Sequence, residues 1–131
     1  MTEALYRISY ARPGGYRDAE PLQLEEHIED AHLVDVREAH EFSGELGHIP
    51  GADLVPLGTL QEAAPGWDKS EPVVVVCRSG ARSGNAARQL VQMGFQKVIN
   101  LRGGMMAWHA AKRPVERTPV KPLPAFAPRP S

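Results

Sequence analysis

The spacing of apolar positions changes period several times along the chain. Leu22, Leu24, Ile28 and Ala31 share one helical face, and Pro21 suits a first turn, which predicts a helix within 21–31. His32-Leu33-Val34-Asp35-Val36 predicts a buried strand, and Glu38 to Phe42 a short helix. Gly47-His48-Ile49-Pro50-Gly51-Ala52 is punctuated like a loop, and Asp53-Leu54-Val55-Pro56 suits a further short strand. Leu57, Leu60 and Gln61 fit one or two helical turns before Pro65-Gly66. Val73-Val74-Val75-Val76 is β-branched throughout and apolar on both faces, as a central parallel strand requires. In the helix expected next, Ala86, Ala87, Leu90, Val91 and Met93 recur at helical spacing. Gly94 is placed to cap it in a left-handed conformation, with Phe95 folding back on the last turn. Val98-Ile99-Asn100-Leu101 predicts the next strand, and Gly103-Gly104 opens a final helix through Trp108. Tyr6 to Tyr10 alternates weakly, as a short strand or an arm would. Strands alternating with helices predict an α/β layered domain with a mostly parallel sheet and right-handed crossovers.

At 131 residues the chain suits one domain with a core of its own. Residues 1–15 are expected as an N-terminal extension, 16–116 as the domain and 117–131 as a tail. In that tail Pro119, Pro122, Pro124, Pro128 and Pro130 predict an extended, polyproline-like path, either a solvated end or a docking strip. A net charge of −1 offers no electrostatic reason for a nucleic-acid or anionic-membrane partner. The N-terminal residues lack the apolar region of a secretory signal, and no apolar run approaches a membrane span, so a reducing cytoplasmic compartment is expected.

The single cysteine rules out an internal disulfide and any metal site built from several cysteines. His27, His32, His40 and His109 show no metal-ligand spacing, and neither metal nor cofactor is expected. The setting of Cys77 points instead to a reactive thiol. It follows the buried strand 73–76, at the carboxyl edge where ligand sites of open α/β sheets form, and it heads the loop Cys77-Arg78-Ser79-Gly80-Ala81-Arg82, which runs into a helix N-terminus. Amides there lack intrahelical partners, and the small residues Ser79, Gly80 and Ala81 let the backbone curl into an anion cradle. Arg78 and Arg82 add positive charge, and Ser79 and Ser83 offer hydroxyls. Such surroundings bring reactive cysteines from about 8.5 to roughly 3.5–7.5, so Cys77 is expected to titrate below neutrality without a histidine base. His48 suits a hydrogen-bonding role in its loop, Asp53 a capping or orienting one, and Trp67 and Trp108 packing.

Leu33-Val34-Asp35-Val36-Arg37-Glu38 with His40-Glu41-Phe42, then Gly47 to Ala52, then Val73 to Arg82, then Leu101-Arg102-Gly103-Gly104-Met105-Met106-Ala107-Trp108 resemble, in this order and spacing, the signatures of single-domain rhodaneses. The resemblance covers about residues 16–116. It implies a three-layer domain with a central five-stranded parallel sheet flanked by helices, and a persulfide formed on Cys77. It implies a substrate pocket supplied by Arg78, Ser79, Gly80, Ala81 and Arg82, with Asp35, Arg37 and Ser83 as supports. An Arg37–Glu41 ion pair at i, i+4 spacing is also expected. Related phosphatases and arsenate reductases carry arginine six positions after cysteine. Here Arg82 is the fifth and Ser83 the sixth, which suits a pocket for sulfur.

The expected activity is transfer of sulfane sulfur from thiosulfate, or a related small sulfur-containing anion, to a thiol, cyanide or protein acceptor. The alternatives are a persulfide carrier loaded by a protein such as a cysteine desulfurase, and a regulatory module that keeps the fold.

Overall fold

The computed structural model describes residues 4–125. Six strands form one sheet: β1 (Tyr10–Ala11), β2 (Arg17–Ala19), β3 (His32–Asp35), β4 (Asp53–Leu54), β5 (Val73–Val76) and β6 (Val98–Leu101). Their spatial order is β1-β2-β6-β5-β3-β4. The β2–β6, β6–β5, β5–β3 and β3–β4 pairs are parallel, and β1 runs antiparallel to β2. The sixth strand beyond the expected five is thus β1, a two-residue edge joined to β2 through the Arg12–Gly15 turn.

β5 lies between β6 and β3, and all four of its valines are buried. The alternation of side chains sends Val73 and Val75 into one core and Val74 and Val76 into the other. The first core meets α4 (Leu60–Ala63) and α5 (Ala81–Gln92) through Leu60, Ala63, Ala86, Ala87 and Leu90. The second meets α1 (Ala4–Ile8), α2 (Pro21–Glu26) and α6 (Gly104–Ala110) through Leu5, Leu24, Met105 and Trp108. This is a three-layer α/β domain. Trp67 and Trp108 are both buried packing residues, the latter donating its indole N–H to the Pro114 carbonyl at 2.9 Å.

The helix expected within 21–31 divides: α2 ends at Glu26, and Ile28–Asp30 tightens into a 3₁₀ turn before β3. The weakly alternating start is helical rather than extended. α1 buries Leu5 completely, and only Tyr10 and Ala11 join the sheet. Gly94 adopts φ +100°, and the Phe95 amide returns to the Leu90 carbonyl at 3.0 Å, which closes α5 as the sequence pattern predicts.

The return from the sheet folds back on it. His48 and Glu116 exchange two backbone hydrogen bonds of 2.8 Å. The Leu123 amide then donates to Leu54 on the edge strand β4 at 2.9 Å, and its side chain packs on the first core. This part of the proline-rich tail therefore lies along the body of the domain; residues 126–131 lie outside the described residues.

A buried ion pair fixes the carboxyl end of β3. The Arg37 guanidinium is bidentate on Asp35 (Nε to Oδ1 2.9 Å, Nη2 to Oδ2 2.8 Å) and donates to the Gly47 carbonyl at 2.7 Å, with both side chains 1% exposed. The expected Arg37–Glu41 side-chain pair does not form. Arg37 precedes α3 (Ala39–Phe42), so the helical i, i+4 geometry does not apply, and it reaches only the Glu41 backbone carbonyl at 3.3 Å. Removing one member of a buried pair strands the other's charge, so Arg37→Leu is expected to cost ~3–5 kcal/mol of stability. Leu at both Asp35 and Arg37 is expected to cost less than the sum of the single replacements. Urea unfolding midpoints at unchanged slope check both expectations.

Candidate active site

The turn after β5 is shorter than expected. Gly80, at φ +110°, caps α5, so Ala81 is its first residue and Arg82 lies in its first turn. Four residues, 77–80, make the connection. Their backbone is held from outside the site by α6. The Met105 amide donates to the Cys77 carbonyl at 2.8 Å, and the Met106 amide to the Arg78 carbonyl at 3.0 Å. With these carbonyls turned towards α6, the amides of Ser79 and Gly80 are left to act on the sulfur. Gly104 permits this approach. It has φ +59°, and a Cβ there would lie 2.4 Å from the Cys77 carbonyl oxygen and 2.7 Å from the Arg78 carbonyl.

Cys77 is 1% exposed. Its Sγ accepts from the Gly80 amide at 3.0 Å and lies 3.2 Å from the Ser83 hydroxyl. Burial pushes the thiol up. The Ser83 hydroxyl and the amides of Ser83, Gly80 and Ser79 pull it down by more, and the result lies below the ordinary thiol value. The downward pull on the thiol thus comes from hydrogen bonds to its sulfur.

The two arginines of the motif have different surroundings. Arg82 forms a fork-to-fork pair with Glu41 on α3, at 2.7 and 2.8 Å. The Arg82 hydrogen bond holds the Glu41 carboxyl down at about 2, against the lesser effect of burial. Arg78 is exposed, and its Nη1 lies 3.4 Å from the Met106 sulfur; among the described residues it has no carboxylate partner. Beside it opens a cavity of about 290 Å³ lined by Arg37, His40, Glu41, Gly44, Glu45, Leu46 and Arg78. Of the motif 77–82 only Arg78 lines that space.

Asp35 and Arg37 stand behind the site as the ion pair described above. Ser83 is fully buried against the sulfur. His48 hydrogen-bonds the Phe42 carbonyl at 2.7 Å and stacks on the Phe42 ring, the loop role its sequence context suggests. Asp53 takes a 2.7 Å contact with His32 Nε2 across β3 and β4. No cluster of metal-ligating side chains occurs among the described residues, and none of their helices is long and apolar enough to cross a membrane.

Glu41, expected on Arg37, is 41 positions from the arginine it binds instead. Two further residues of the site, Asn100 and Asp18, escape the motif reading. Asn100 lies 2.5 Å from the Ser83 hydroxyl, and Asp18 accepts from the Asn100 amide at 3.1 Å. The available signal for Asn100 is a polar residue inside the apolar strand 98–101.

The rhodanese-like domain family matches residues 20–111. Thiosulfate sulfurtransferase GlpE of Vibrio cholerae is 33% identical over 99 residues, covering 76% of this chain and 92% of its own length. The Bacillus subtilis protein YrkF is 40% identical over 80 residues, which are 61% of this chain but 42% of that protein, so the chain spans less than half of it. Among solved structures, a rhodanese-related protein from Thermoplasma volcanium superposes with a TM-score of 0.72 at 28% identity, over 79% of this chain and all of the other.

The Glu41–Arg82 pair carries a pH signature. Its carboxyl is lowered from 4.5 to about 2 in the folded protein, so its contribution is fully present above the ordinary carboxylate range and is lost as pH falls towards 2. Wild type is expected to exceed Glu41→Gln in urea midpoint near neutrality, with the gap closing in acid. A gap of constant size would exclude the carboxylate as its source.

Proposed function

The chain belongs to the rhodanese-like domain family, and from that premise we propose that it is a sulfurtransferase that takes sulfane sulfur from thiosulfate through a persulfide on Cys77. The observation that carries this reading is the buried sulfur with the Gly80 amide at 3.0 Å and the Ser83 hydroxyl at 3.2 Å, in a turn whose first two carbonyls, those of Cys77 and Arg78, are bonded away to α6. Donors fixed before substrate arrives stabilise an anion without reorganisation.

The Cys77 thiolate attacks the outer sulfur of thiosulfate. A Cys77–sulfur bond forms, the sulfur–sulfur bond of thiosulfate breaks, and sulfite leaves with the bonding pair. The terminal sulfur of the persulfide then carries the negative charge, and the amides around the sulfur, Ser79 and Gly80 among them, are the donors nearest to it. An acceptor thiolate, or cyanide in the test tube, attacks that terminal sulfur and returns Cys77 as the thiolate. The two half-reactions make a ping-pong cycle.

Arg78, exposed and without a carboxylate partner among the described residues, is the cation that meets the incoming dianion. Arg82, with its charge taken up by Glu41, steadies the first turn of α5. The cavity beside Arg78 gives the donor or the acceptor room to approach. Asp35 and Arg37 hold the wall of that cavity through their ion pair. Ser83 acts on the sulfur directly. A thiol that works while ionised and alone suits a reducing compartment such as the cytoplasm.

Intact mass of the protein after thiosulfate, and again after cyanide, tests the proposal. Wild type should gain one sulfur atom and lose it to cyanide, and Cys77→Ser should gain none. Loading by a cysteine desulfurase with cysteine, but never by thiosulfate, would replace the enzyme reading with that of a carrier. Loading by neither donor would overturn sulfur transfer. Arg78→Ala is expected to raise the KM for thiosulfate about tenfold, on the scale of one hydrogen bond to a charged group, while slowing alkylation by a neutral reagent far less.

A further inference from the structure

The Ser83 hydroxyl has one proton and three acceptors within reach. Asn100 Oδ1 lies at 2.5 Å, Cys77 Sγ at 3.2 Å and the Gly80 carbonyl at 3.3 Å. The Gly80 carbonyl already receives the Gly84 amide at 2.9 Å as part of α5. The real competition is therefore between the sulfur and Asn100.

Asn100 is 5% exposed and sits within β6. Which end of its amide faces Ser83 is decided one residue further on. Its Nδ2 donates to Asp18 Oδ1 at 3.1 Å, and an ionised carboxylate can only accept. Asp18 is itself 8% exposed, belongs to β2 and meets Arg12 through its other oxygen at 3.5 Å. The Asp18 carboxylate thus forces the Asn100 oxygen towards Ser83. Three buried side chains from β2, β6 and α5 form a line of hydrogen bonds that ends on the sulfur.

We propose that Asn100, oriented by Asp18, is a positioning residue for the Cys77 sulfur: it competes for the Ser83 proton and thereby sets how often that proton points at Sγ. With a protonated thiol, the Cys77 S–H donates to Ser83 Oγ, and Ser83 donates to Asn100. Once the thiol proton has left to solvent, the hydroxyl turns to the sulfur and Asn100 loses its donor. The same rotation serves persulfide discharge, in which Sγ regains negative charge as the terminal sulfur departs. Asn100 therefore holds the sulfur less anionic than its other donors alone would make it.

The charged groups around the sulfur are accounted for separately. Arg82 on α5 senses the Cys77 charge and is paired with Glu41 of α3. Asp35 and Arg37 at the end of β3 neutralise each other. Arg78 lies in the turn itself, and Asp18 with Arg12 stands at the far end of the line. Asn100→Leu removes the competing acceptor at similar size; of these groups it touches Asp18, which loses the Asn100 amide and keeps its contact with Arg12.

The proposal deepens the sulfurtransferase reading but is tested without a sulfur donor, by the pH dependence of Cys77 alkylation with iodoacetamide. Asn100→Leu is expected to lower the midpoint by about one pH unit, and Ser83→Ala to raise it by about one, on the scale of a hydrogen bond to a charged group. In the Ser83→Ala background, Asn100→Leu should have no effect. Asp18→Leu provides a second variant should Asn100→Leu fail to fold. It removes the acceptor that orients Asn100 and so releases the amide to turn its Nδ2 towards Ser83 Oγ, which sends the hydroxyl proton to the sulfur and lowers the midpoint. A lost carboxylate charge acting at a distance would shift the midpoint equally with or without Ser83, and that result would overturn the proposal. So would an unchanged or raised midpoint in whichever single variant folds. Sulfur loading followed by intact mass on the same variants reads the sulfurtransferase proposal independently.

Discussion

A sulfur at 1% exposure can carry negative charge only if the protein supplies the hydrogen bonds that water would otherwise give. Much of the domain is arranged around that requirement. β5 delivers the sulfur to the carboxyl edge of the sheet, α5 offers amides and the Ser83 hydroxyl from one side, and α6 draws two carbonyls out of the way from the other. Gly103 and Gly104 belong to the same device. Their left-handed conformations bring the start of α6 close enough to reach the turn, which a side chain at Gly104 would prevent.

The electrostatics divide into two layers. Close to the sulfur the stabilisation comes from short, directional hydrogen bonds, which burial strengthens. Further out, charges are largely matched in pairs: Asp35 with Arg37, Glu41 with Arg82 and Asp18 with Arg12. Arg78 is the exception at the mouth, beside the cavity. Positive charge is therefore placed where an anion would enter, while the interior tunes the sulfur through geometry.

Features set by local spacing were readable in the sequence. The valine run, the Gly94 closure of α5, and the strand–cysteine–turn–helix order all depend on residues within one or two turns of each other. Features set by distant pairing were not. β2 is only Arg17-Asp18-Ala19, with two charged residues, and it becomes a sheet member because β6 and β1 flank it. The Asp18–Asn100 contact joins residues 82 positions apart, and nothing in either segment names the other. Glu41 lay within reach of a reasonable partner, but the helix that would have aligned it with Arg37 begins only at Ala39. Its carboxylate goes instead to the arginine across the site.

The hydrogen bond from Leu123 to the edge strand bears on how these molecules behave when concentrated. A strand at the rim of a sheet offers an unpaired backbone to any other chain that can lie beside it. On this rim β4 is only two residues long, and the chain's own proline-bearing segment already occupies the Leu54 carbonyl. Prolines supply no N–H, so the covering segment is a poor template for another strand. A segment so placed disfavours edge-to-edge joining of sheets, a matter of colloidal behaviour quite separate from the sulfur chemistry on the other side of β3.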